Sequence, residues 1–146
     1  MTAFPEDMFK TQKADLGIIN KTTRLRKDIN VFINGLCDGE IKYNEYIAVK
    51  EFIDISSYIL FPERYEKMNK GLSYSNSFFL TLSAFEKCDE FKVENIENVK
   101  ETKPCFKKLF YDLDNFSNSD SKNRLIKFLL TLDEELEELI KMELNR

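Results

Sequence analysis

The side chains best suited to acid–base or metal chemistry are carboxylates near the C-terminus. Glu134 with Glu137, and Glu135 with Glu138, are spaced three residues apart, so each pair lies about one turn apart on a helix. Such pairs can hold a hard cation or share a proton. A working acid–base pair needs a pocket that shifts its pKa, and these residues fall on the expected solvent face. We therefore expect no catalysis from them.

The three cysteines, Cys37, Cys88 and Cys105, are widely spaced and contain no C-x-x-C pair. Cys105 follows Pro104, a residue favoured at the first position of a helix, where the helix dipole would stabilise a thiolate. Cys105 is therefore the candidate nucleophile. The alternative, which we favour, is a structural role in which all three cysteines are reduced thiols that pack in the interior.

The chain contains no histidine. Histidine is the side chain that exchanges protons near neutral pH and the commonest metal ligand, so the usual serine and cysteine nucleophiles lack their base. No Walker A, G-x-G-x-x-G, G-x-S-x-G or EF-hand motif occurs, and four scattered glycines make no phosphate loop. The sequence indicates a protein that is not an enzyme and that uses neither a cofactor nor a metal.

Two charged surfaces remain as candidate binding sites. On a helix, one set of basic residues falls within an arc of about 120° that could follow a line of phosphates. The alternative is a solvated face, because Asp15 and Asp28 dilute the charge. This basic stripe comprises Lys10, Lys13, Lys21, Arg24 and Lys27.

The second surface is acidic and suits a basic partner protein. The alternative is a solubilising face supported by a Glu137–Lys141 pair one turn apart. This acidic face comprises Asp133, Glu134, Glu135, Glu137 and Glu138.

Composition predicts the fold that carries these surfaces. A chain of 146 residues with 42% hydrophobic and 33% charged residues is typical of one globular domain, here residues 1–146. Only four glycines and three prolines interrupt it, which favours long helices over many short strands. We expect an all-α, compact single-domain bundle of about five to six helices.

Hydrophobic spacing places the first helices. The first begins near Asp7 or Thr11 and ends about Leu36, with Gly35 and Gly39 as stop signals. A stripe along it faces the core. The second, about 44–61, is apolar over a broad arc and is expected to be the buried central helix. A third follows in SFFLTLSAFEKC. The stripe consists of Ile18, Leu25, Ile29, Phe32 and Leu36.

The second half of the chain predicts two further helices. Residues 89–103 indicate a weak helix or a loop, Pro104 opens the next helix, and residues 115–121 form a loop. A long amphipathic helix then covers about 121–145, its first half buried and its second half on the surface. Its leucine seam is shorter than the three to four heptads or so of an independent coiled coil. Packing within the chain is expected, and a homodimer through this helix is the alternative. The seam consists of Leu125, Leu129, Leu132, Leu136 and Leu139.

Location and function follow by exclusion. The first residues resemble no signal peptide, no run reaches the roughly 18 apolar residues of a membrane span, and the net charge is −4. We expect a cytoplasmic protein, of a cell or an infected host. The leading hypothesis is a protein-binding inhibitor, immunity factor or adaptor. Small inhibitors encoded by viruses and phages are similar to this chain in composition. The alternative is a nucleic-acid-binding or ribonucleoprotein subunit that uses the basic stripe.

Overall fold

A computed structural model describes residues 16–60, 77–91 and 99–145 of the chain. These residues form five α-helices and a short 3₁₀ turn, Asp89–Phe91, and contain no strand. The predicted all-α bundle is therefore confirmed. In chain order the helices are α1 (Leu16–Asp38), α2 (Tyr43–Leu60), α3 (Ser77–Lys87), α4 (Val99–Asp114) and α5 (Ser119–Leu144).

Two helices hold the bundle together, because α2 and α5 each pack against three others. Helix α5 contacts α1, α3 and α4, and α2 contacts the same three helices. Phenyl rings fill the space between them. The ring of Phe85 lies 4.8 Å from that of Phe106 and 5.0 Å from that of Phe128, and all three are fully buried. Phenylalanine needs no buried hydrogen-bond partner, so a core of this kind loses no polar contacts on folding.

Helix α1 buries four residues of the predicted stripe, while Ile18 is half-buried, and the helix ends later than predicted. Gly39 adopts a positive φ of 84° and donates its N–H to the Gly35 carbonyl at 2.8 Å, which closes the helix after Asp38. The prediction that Gly35 stops the helix is wrong. Gly35 lies inside the helix, where a Cβ would come within 2.8 Å of the Glu40 carbonyl oxygen. The predicted start near Asp7 or Thr11 lies outside the described residues.

The second and third predicted helices are present. Helix α2 covers Tyr43–Leu60, one residue from the predicted 44–61, and buries Val49, Phe52 and Ile53. Helix α3 matches the predicted segment and meets α2 partly through hydroxyls. The Thr81 and Ser56 hydroxyl oxygens lie 3.0 Å apart in the interior.

Helix α4 begins earlier than predicted. It starts at Val99 and contains Pro104, so the prediction that Pro104 opens the helix is wrong. Proline lacks the N–H that would bond the carbonyl four residues earlier, but α4 packs Phe106 and Leu109 fully into the core. Burial of that face outweighs the loss of one hydrogen bond. The predicted weak segment 89–103 contains the 3₁₀ turn and the start of α4, and residues 92–98 lie outside the description.

Helix α5 begins at Ser119, so the predicted loop 115–121 is too long. The Asn118 side chain accepts hydrogen bonds from the N–H groups of Asp120 and Ser121 at 2.9 and 3.3 Å, which caps the helix two residues early. The leucine seam packs within the chain, fully buried from Leu125 to Leu136. The first half is not buried all round, however, because Leu130 is 48% exposed. Helices α1 and α3 flank α5 and leave its outer side open.

Candidate functional site

The predicted acidic face is divided between neighbouring helices. Arg26 on α1 donates to Asp133 through Nε at 2.8 Å and to Glu137 through Nη2 at 3.0 Å. Asn30 adds a bond to Asp133 at 3.2 Å. The hydrogen bond that Arg26 donates to Asp133 is the main reason that the pKa of Arg26 is raised, and the Asp133 side chain is only 15% exposed. These carboxylates therefore join α5 to α1.

Glu135 joins α5 to α3, because it pairs with Lys87 and its side chain is only 14% exposed. That bond is the main cause of the raised pKa of Lys87. Lys141 lies 3.2 Å from Glu137 and 3.8 Å from Glu138 along the same helix, and its hydrogen bond is the main reason that the pKa of Glu137 is lowered.

Two members of the acidic face remain largely open to solvent. Glu138 is exposed beside Lys141, and Glu134 is exposed and makes no ion pair with the residues that the structure describes. They lie one turn apart on the outer side of α5. Asp133 and Glu135 are largely covered by their partners on α1 and α3, and the acidic face as a partner-binding surface stays a prediction.

The part of the basic stripe that lies within the described residues is exposed to solvent. Lys21, Arg24 and Lys27 all lie on the surface of α1, while Lys10 and Lys13 lie outside the described residues. Asp28 interrupts the stripe, as predicted. Partial burial and the nearby Glu45 carboxylate raise the pKa of Asp28, and Lys27 and Arg24 oppose that shift.

A cleft between α1 and α2 is the feature that sequence analysis missed. Its volume is about 180 Å³. Apolar side chains form its floor, and charged side chains of both signs form its rim. The floor consists of Leu25, Ala48, Phe52 and Ile55, and the rim of Lys21, Arg24, Asp28 and Glu51.

The sequence did contain a signal for this cleft. The apolar arc of α2 is wider than its neighbours can cover, and Ala48 and Ile55 at its edge stay half-buried. From the sequence the whole arc is expected to face the core, because a single sequence does not show where the next helix stops covering it.

The cysteines give no sign of an activated nucleophile. Cys105 lies inside α4, so the predicted position at a helix N-terminus is wrong. Its Sγ donates to the Phe91 carbonyl at 2.7 Å. Burial raises the pKa of the Cys105 and Cys88 thiols. Cys37 is exposed, so the expectation that all three thiols pack in the interior is wrong for Cys37. Within the described ranges, no group of three or more carboxylates and thiols is arranged to hold a metal ion.

Comparisons with protein-family models, with curated proteins and with solved structures gave no match for this chain. None of the helices in the described part is long and apolar enough to cross a membrane.

Proposed function

We propose that this protein acts by binding another protein, as a non-enzymatic inhibitor, immunity factor or adaptor, and that the α1–α2 cleft contributes the central contact. The size of the cleft carries this proposal. About 180 Å³ is well below the roughly 300–1,000 Å³ of small-molecule sites. It suits one or two side chains of a macromolecular partner instead.

The composition of the cleft supports the same function. Binding energy at protein interfaces concentrates where an apolar anchor fills a pocket and a polar rim excludes water. Here Ala48 and Ile55 provide partly open apolar surface, and Arg24 and Asp28 border it. The acidic face contributes less to the proposal than expected, because Asp133 and Glu135 are engaged within the chain.

The test is a quantitative pull-down from cells of the source organism with three forms of the full chain. These are the natural sequence, Ala48→Arg, which fills the cleft, and Lys107→Glu, which changes an exposed residue on α4. We expect one protein in stoichiometric amount with the natural sequence and Lys107→Glu, and its loss with Ala48→Arg. Absence of any partner, or full retention by Ala48→Arg, would contradict the proposal.

Nucleic-acid binding is the second candidate, and one observation favours it. Arg24 and Lys27 are exposed and make no ion pair with other described residues, so they can contact phosphates. We expect any such binding to weaken with salt and with Arg24→Glu and Lys27→Glu. Binding of DNA or RNA that both variants retain would remove the stripe from consideration.

A further inference from the structure

We draw no further inference here: the strongest candidate, the surface patch of exposed apolar side chains at the start of α1 and the end of α5 (Leu16, Met142 and Leu144), carries no proposal because nothing in the described part of the structure shows what covers it.

Discussion

At the scale of single residues, a buried ion pair fixes the α4–α5 hairpin. Asp112 is fully buried and accepts two hydrogen bonds from Arg124, at 2.8 and 3.0 Å. Arg124 also donates to the Ser121 hydroxyl at 3.3 Å. Buried carboxylates can act as general acids or bases in enzymes. Both carboxylate oxygens of Asp112, however, accept hydrogen bonds from the Arg124 guanidinium. Its role is structural.

We predict that Asp112→Asn lowers the free energy of unfolding by about 2 kcal/mol. Removing one partner of a buried pair costs more than breaking an exposed one, and the loss is moderated because the Arg124 side chain is 24% exposed. The control is Asp114→Asn on the same helix, where the pair with Lys50 is exposed on both sides and about 0.5 kcal/mol is expected. Urea denaturation measures both, and equal effects would contradict the structural role.

The thiols give a second prediction at this scale. Burial raises the pKa of Cys88 and Cys105, so iodoacetamide at pH 8 should alkylate the exposed Cys37 first. The folded thiols hold their protons more tightly than unfolded ones. Protonated Cys88 and Cys105 therefore stabilise the folded state fully below about pH 8.5, and this stabilisation is lost as the pH rises further. Mass spectrometry of the alkylated protein measures the order, and rapid labelling of Cys105 would revive a nucleophilic role.

At the scale of elements, the end of α1 depends on two glycines with different roles. Gly39 provides the positive φ that ends the helix. Gly35 provides close approach, since a Cβ there would lie 2.8 Å from the Glu40 carbonyl oxygen and 3.2 Å from the Ile41 Cα. Both neighbours are backbone atoms that cannot move aside cheaply.

We predict that two glycine-to-alanine substitutions in α1 change the free energy of unfolding in opposite directions. Gly35→Ala should lower the free energy of unfolding by about 1–3 kcal/mol, because the clash exceeds the gain in helix propensity. Gly17→Ala, at an exposed position of the same helix, should raise it by up to about 1 kcal/mol. Thermal denaturation followed by circular dichroism distinguishes them. Stabilisation by Gly35→Ala would contradict the described packing of the residues after α1.

Periodicity predicted the interior of each element better than its ends. The spacing of Leu25, Ile29 and Phe32 identified a buried face correctly, because burial of apolar side chains dominates folding. The ends depend on single local contacts, such as the Asn118 cap or the approach of Glu40 to Gly35. The start of α4 was mispredicted for a related reason. Proline prefers the first position of a helix, but packing of the whole helix outweighs that local preference at Pro104.

At the scale of the whole molecule, charge is used largely to join helices. Helix α1 is joined to α5 by the Arg26–Asp133 pair. Helix α3 is joined to α5 by the Lys87–Glu135 pair. The 3₁₀ turn is joined to α5 by the Glu90–Lys127 pair. A sequence shows which residues are acidic but does not show which cations fold back onto them. Part of the predicted acidic face therefore also joins the helices, and the cleft, which exists only between two helices, was missed.

The burial of the leucine seam predicts a monomer. A homodimer through α5 would have to use the apolar residues that this helix leaves exposed, Leu130, Met142 and Leu144, which are too few for the large apolar interface of a stable dimer. We expect sedimentation of a single species of 17.3 kDa for both the natural chain and Leu130→Lys. A dimer that Leu130→Lys dissociates would restore the homodimer alternative.

The proposed function requires that a partner protein binds at the α1–α2 cleft. Isothermal titration of the partner captured by the natural chain tests it most directly, with the natural sequence, Ala48→Arg and Lys107→Glu as matched samples. We predict that Ala48→Arg raises the dissociation constant at least about tenfold, equivalent to roughly 1.4 kcal/mol, and that Lys107→Glu leaves it within about twofold. Equal affinity for Ala48→Arg and the natural sequence would contradict the account.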